Sequence, residues 1–253
     1  MTLTINRPGA LDALPSVVIF DLDDTLYDYA GPHDAALAAI QTKLAGALNI
    51  SGASFRAGFA SARAKVKQRL GRTASSHSRL LYFQQMLEDF GLRTQALLSL
   101  DLEQTYWRAF LATARLFPAA EDVIMELHAS GVRLGIITDL TAQIQFRKIV
   151  HFNLDRYLDF VVTSEEAGQD KPGLAPFHLA AEKFSLAERS VIWAIGDEAH
   201  DLAGAKEVLD AVTIQKLNAT SERYSVEASF SDYADLLSLI KRIAGGSKAS
   251  ATA

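Results

Sequence analysis

Four aspartates stand within eight residues after a short apolar run: VVIF at 17–20 is followed by Asp21, Asp23, Asp24 and Asp28. Carboxylates this close repel one another and resist desolvation, so something bound there must offset that cost. Alone, Asp21, Asp23 and Asp24 read as loop residues capping a turn. Polar groups recur, however, in the same setting elsewhere in the chain. Thr138-Asp139 closes RLGIIT, Asp170-Lys171-Pro172 lies in the loop after FVVT, and Gly196-Asp197-Glu198-Ala199-His200-Asp201 follows VIWAI. Asp21, Asp23 and Asp197 together call for a hard divalent cation with oxygen ligands, magnesium being the expected one. Lys171 and Thr138 offer an anion a positive charge and a hydroxyl donor. A metal-carboxylate pocket beside a lysine and a threonine suits a phosphoryl group, neutralised from both sides.

These residues meet only if the chain folds to bring them together. The runs at 16–20, 133–138, 160–163, 191–195 and 211–214 are apolar and continuous rather than alternating, which predicts strands buried on both faces. Helical spacing separates them. Val123, Ile124, Leu127 and His128 precede the second run. Phe177, Ala180, Ala181 and Phe184 precede the fourth, with Pro176 suited to a first helical turn, and Ala199, Leu202, Lys206 and Leu209 follow it. Strands alternating with helices imply an α/β fold, a doubly wound parallel sheet, in which groups at the carboxyl ends of strands converge on one rim.

Residues 30–115 break that rhythm with four apolar stripes at helical spacing and no strand: Leu37/Ile40/Leu44/Leu48, Phe55/Phe59/Ala62/Val66, Leu80/Phe83/Leu87/Phe90 and Leu102/Tyr106/Phe110/Thr113. A helical insertion after the first strand should lie over the rim that binds ligands. The expected division is a core of 16–29 and 116–243, a helical cap of 30–115, and a small polar tail, 244–253, that frays.

D-L-D-D-T from Asp21, Thr138, Lys171 and G-D-E-A-H-D from Gly196 resemble, in order, the four signature motifs of the haloacid dehalogenase-like (HAD) hydrolase superfamily. The resemblance runs from Val17 to about residue 215, and 30–115 is similar to the helical cap inserted after the first motif. It implies a Rossmann-like core, an aspartyl-phosphate intermediate and Mg2+. Asp21 would be the nucleophile. Asp23 would protonate the leaving alcohol, then take a proton from water, and its backbone carbonyl would meet the metal. Thr138 and Lys171 would hold the phosphoryl group, with Asp139 beside them. Asp21 and Asp197 would be metal ligands, and Asp201 would hold the metal through water or orient Lys171. Dehalogenases of the superfamily lack an aspartate two residues after the nucleophile, because halide leaves without a proton. Asp23 therefore favours an oxygen leaving group and a phosphatase acting on a small phosphorylated metabolite of the sugar phosphate or nucleotide class. The alternatives are a phosphomutase of the same superfamily or a phosphate-binding or receiver-like signalling protein.

Thr25 reads as a residue that positions the turn, Asp24 as a turn-capping or solvated neighbour, Glu198 as a helix-start acid and His200 as a surface or cap contact. In the insertion, Arg72, His77 and Arg79 are candidates for contacting the substrate, with Arg72 and Arg79 equally readable as solvated arginines. Tyr106 and Trp107 read as cap core, and Arg147-Lys148 as an exposed helix face. A net charge of -5, from 25 basic and 30 acidic residues with no basic block, argues against a nucleic-acid partner. The absence of cysteine excludes disulfides and thiolate chemistry. No apolar stretch reaches the ~18 residues of a membrane span. With no signal-peptide pattern at the start, this makes the expected location cytoplasmic. The sequence carries no signal for an oligomeric state.

Overall fold

The computed structural model describes residues 3–185, 190–219 and 221–250. Strand β1 (Thr4–Ile5) precedes β2 (Val17–Phe20), and helices α1 (Ala30–Leu48), α2 (Gly52–Leu70), α3 (Arg79–Asp89) and α4 (Ala96–Thr113) follow, with a 3-10 turn at Ala74–His77. The α/β alternation then resumes with α5 (Ala120–Ala129), β3 (Arg133–Thr138), α6 (Ala142–His151), β4 (Phe160–Thr163), α7 (Ser164–Ala167) and α8 (Ala175–Phe184). It closes with β5 (Ile192–Gly196), α9 (Ala199–Leu209), β6 (Val212–Lys216), β7 (Ala228–Phe230) and α10 (Tyr233–Ser250).

The sheet runs β1-β7-β6-β5-β2-β3-β4. All pairs are parallel except β1 with β7, so the expected parallel sheet gains one antiparallel edge strand. Two-residue β1 is too short to show any periodicity, and its pairing (Thr4 with Ser229, Ile5 with Ala228) is set by contacts remote in sequence. The expected tail also differs, because α10 continues to Ser250; residues 251–253 lie outside the described residues.

Strand β2 shows why its sequence is apolar without alternation. Val18 and Phe20 enter one core with Leu134, Ile136, Trp193 and Ile195, backed by Val123 and Leu127 of α5 and Leu236 and Ile240 of α10. Val17 and Ile19 enter a second core on the opposite face with Ile137, Ala194, Phe177 of α8 and Leu202 of α9. Successive side chains of a strand point to opposite faces, so a strand covered on both sides needs every residue apolar. The first core continues into the insertion through Ile40, Phe55, Phe59, Phe83, Tyr106, Trp107 and Phe110. Tyr106 and Trp107 are thus packed among the inserted helices, as their spacing predicts.

Candidate active site

The register fixes the rim. Phe20 pairs with Ile136 on one side and Ile195 on the other, so the chain leaves the sheet at Asp21 between the ends of β3 and β5. This is where neighbours of β2 diverge to opposite sides, the crevice in which open α/β sheets bind ligands. Asp24 sits at φ 61 and its carboxylate accepts the Tyr29 N–H at 3.0 Å, closing the turn after Asp21. Its expected turn-capping role is therefore what the geometry gives, since a short acidic side chain tolerates the left-handed region.

Lys171 is the hub. Its Nζ donates to Asp21 Oδ1 at 2.6 Å, to Asp201 Oδ1 at 2.5 Å and to the Ile137 carbonyl at 3.3 Å. Asp201 is held for this contact by the start of α9: its other oxygen accepts the Glu198 N–H at 3.1 Å, while the Glu198 side chain caps the helix in return. Glu198 is thus the helix-start acid expected of it. Gly196 is required here, since a Cβ would stand 2.5 Å from Asp201 Cβ. The Thr25 hydroxyl lies 3.1 Å from Asp21 Oδ2 and 3.2 Å from Asp197 Oδ1 and can donate to either.

Oxygens of Asp21, Asp197 and Asp201 lie within 4.8 Å of one another. The protein's own electrostatics leave this cluster under-compensated. Burial, then the nearby Asp201, pushes the Asp21 carboxyl well up, and Lys171 only partly opposes this. Burial with Asp201, Asp24 and Glu198 pushes Asp197 up to about 7. Burial alone would lower Lys171, but Asp201, Asp21 and Asp139 outweigh it and raise the ammonium's pKa. An all-oxygen, anionic donor set of this kind fits a hard divalent cation.

The remaining candidates fall into distinct places. The Thr138 hydroxyl faces the same chamber and accepts the Gln145 amide at 2.6 Å. Asp139 lines the chamber, and its carboxylate accepts the Lys171 N–H at 3.0 Å, so it also orders the loop that presents Lys171. Asp23 lines the chamber too, but its carboxylate stands outside the three-carboxylate cluster. Lys148 Nζ donates to both its oxygens at 2.7 Å, and the Tyr27 hydroxyl donates to one at 2.6 Å. Lys148 corrects the sequence reading. It is 1 % exposed, packed over the rings of Tyr27, Tyr29, Trp107 and Phe110, whereas only its neighbour Arg147 is exposed. The signal was available, because Lys148 lies on the helical stripe of Ile144, Gln145, Ile149 and Phe152, all buried. His200, half-buried, sits 3.0 Å from Glu198 and 3.6 Å from Asp201 and lines the chamber.

The chamber, about 150 Å3, adjoins a cavity of about 650 Å3 beneath the inserted helices; Asp23, Asp24, Asp139 and Glu198 line both. Arg79 and His77 line the larger cavity. Arg72 does not; its backbone carbonyl accepts the Asp170 N–H at 3.2 Å, and its side chain is exposed. His77 lies 3.1 Å from Asp170, tying the insertion to the Lys171 loop.

Residues 15–208, more than half the chain, match the model of the haloacid dehalogenase-like hydrolase family. The chain belongs to that family. Among the hydrolase's relatives, a ribulose-1,5-bisphosphate 5-phosphatase of Halopiger xanaduensis is 36% identical over 77% of this chain and 82% of the relative. A glyceraldehyde 3-phosphate phosphatase of Methanothermobacter thermautotrophicus is 29% identical over 89% of this chain and 98% of the relative. The hydrolase shares its fold with the HAD-hydrolase YfnB of Bacillus subtilis, solved bound to magnesium, at a TM-score of 0.65 and 20% identity, over 90% of this chain and 99% of that one. Among the described residues, no helix is long and apolar enough to cross a membrane.

Proposed function

We propose that the hydrolase is a magnesium-dependent phosphatase that cleaves a phosphomonoester of a small metabolite through an aspartyl-phosphate on Asp21. The observation that carries this reading is the position of Asp23. It lines both the chamber of Asp21 and Lys171 and the larger cavity next to it, which puts an acid where a phosphoryl group and its leaving alcohol would join. The relatives' substrates, a ribulose bisphosphate and a triose phosphate, support the same class.

Asp21 attacks phosphorus, and the bond from phosphorus to the ester oxygen breaks as the new bond to the carboxylate forms. Asp23, which pairs with Lys148 as the carboxylate, takes up a proton from solvent before the transfer and gives it to the departing oxygen. Water then attacks phosphorus and yields its proton to Asp23, the Asp21 oxygen leaves, and inorganic phosphate is released. Lys171 holds Asp21 in place and offsets the repulsion between carboxylate and phosphoryl oxygens. Thr138, anchored by Gln145, donates to a phosphoryl oxygen. Asp21, Asp197 and Asp201, with the Asp23 backbone carbonyl, would hold Mg2+, which supplies further neutralisation of the phosphoryl charge. Helices α1 to α4 act as the cap, closing the site from water.

Free-phosphate release from a panel of phosphorylated metabolites, with Mg2+ and again with chelator, tests the reading. Release that depends on Mg2+ and disappears in Asp21→Asn supports it; equal release with chelator or in the variant refutes it. Release with no added sugar acceptor also excludes a phosphomutase.

A further inference from the structure

The larger cavity has two electrical halves. Its core side carries Asp23, Asp24, Asp139 and Glu198, and its cap side carries Arg56, Arg63, Lys67 and Arg79. Arg56, Arg63 and Lys67 sit seven and four residues apart on α2, so they share one face of that helix, a spacing that sets the Cβ atoms of Arg63 and Lys67 about 6 Å apart. Two other cations of the insertion do have carboxylate partners, Lys43 with Asp101 at 2.5 Å and Lys65 with Asp89 at 2.8 Å. Among the described residues, none of the four cavity cations has a carboxylate within 4.0 Å.

Arg79 makes this arrangement informative. It is 9 % exposed, and its guanidinium donates to the His77 carbonyl at 2.6 Å and to the Tyr29 hydroxyl. It lies over the rings of Tyr82, Tyr106 and Trp107, and among the described residues its Nε has no hydrogen-bond partner. A buried cation without a counter-ion is strongly unfavourable, and three further cations nearby add to the repulsion. Their field is felt by neighbours. Burial, then Arg63 and Arg79, lowers the Lys67 pKa, with Asp170 and Asp139 opposing more weakly, and burial with Arg79 lowers His33 to about 4, which keeps it neutral. Arg56 and Arg63 are exposed and Lys67 is half-buried, so an anion entering the cavity can reach them and would supply the counter-ion that Arg79 lacks among the described residues.

We propose that this face of the cap is a second anion subsite, and that the preferred substrate is a short bisphosphate. One phosphate is cleaved at Asp21, while the other, retained in the product alcohol, docks against Arg63 and Lys67 and faces Arg79. Four cations suit a dianionic phosphate better than a single carboxylate. The inference rests on the phosphatase reading for its reaction, but its binding claim stands on the cavity alone.

The test uses a matched pair, 1,5-pentanediol bisphosphate and 1,5-pentanediol monophosphate, with the full chain in Mg2+. The wild type should favour the bisphosphate in kcat/KM by about 10- to 100-fold, and this preference should shrink as salt is raised. The Arg63→Gln/Lys67→Gln double variant, altered only on the cavity face of α2, should cut the preference to about 3-fold or less. Equal turnover of the pair by the wild type, or an undiminished preference in the double variant, overturns the proposal. If neither compound nor an aryl phosphate is turned over, the phosphatase reading has failed, and thermal stabilisation by the same pair decides the subsite. Greater stabilisation by the bisphosphate, lost in the double variant, supports it; equal stabilisation overturns it.

Discussion

Replacing Lys148 by methionine isolates the acid from the nucleophile. Lys148 Nζ stands 2.7 Å from both oxygens of Asp23, which at an effective dielectric near 20 is a gross attraction of about 6 kcal/mol. Most of that is offset by the desolvation of an ammonium that is 1 % exposed. Methionine keeps the bulk among the four rings, and Asp23, whose side chain is 31% exposed, can rehydrate and keep its bond to Tyr27. The expected destabilisation is therefore about 1–2 kcal/mol, less than for a fully buried pair. The catalytic effect should depend on the leaving group. A positioned general acid contributes about 10²- to 10⁴-fold, and losing its position should forfeit about 10- to 100-fold of this on an alkyl phosphate. An aryl phosphate, whose phenolate leaves without a proton, should lose only about 2- to 3-fold. Comparing kcat/KM confines the measurement to steps up to alcohol release, before Asp23 acts on water. Equal losses on both substrates would refute the assignment of Lys148 as the residue that positions the acid.

Asp21→Asn should lose at least about 10³-fold in phosphate release with its melting temperature at or above that of the wild type, because the shape is kept while a raised-pKa carboxylate is removed; a variant within tenfold of the parent would exclude Asp21 as nucleophile. Metal-free protein should lose stability as pH rises from about 4 to 7. Asp197, at about 7 when folded and near 4 when unfolded, binds its proton more tightly in the folded chain, so ionising it costs about 2–4 kcal/mol across that window. Denaturant unfolding in chelator at pH 5 and pH 8 measures this, and Mg2+ should flatten the dependence; a flat profile without metal would contradict the electrostatic account. Gln145→Leu should lower kcat by about tenfold while leaving the fold, since it frees the Thr138 hydroxyl that Gln145 holds at 2.6 Å; unchanged kcat would show that Thr138 needs no such anchor.

Much of the core was legible because short, continuous apolar runs that alternate with helical spacing fit strands covered on both faces. Val17–Phe20 feeds one core through alternate residues and the opposite core through the others. The polar residues ending those runs therefore had to meet at one rim. What periodicity could not carry was pairing between distant segments: the edge contact of Thr4–Ile5 with Ala228–Phe230 and the cavity under the inserted helices lined by Arg56, Arg63, Lys67 and Arg79. Arg72 and Arg79 looked alike in sequence, yet one is exposed with its carbonyl on the Lys171 loop and the other is buried facing the cavity.

The order of the acids, the lysine and the apolar runs between them, by itself, determined the family, the α/β core and the identity of the groups at its rim. Only the tertiary structure decided that Lys148 leaves solvent to grip Asp23, and that four cations lining the cavity under the inserted helices have, among the described residues, no carboxylate within 4.0 Å. The physical reason is that burial and charge pairing depend on distances in space, which spacing along the chain constrains within one helix or strand but not between them.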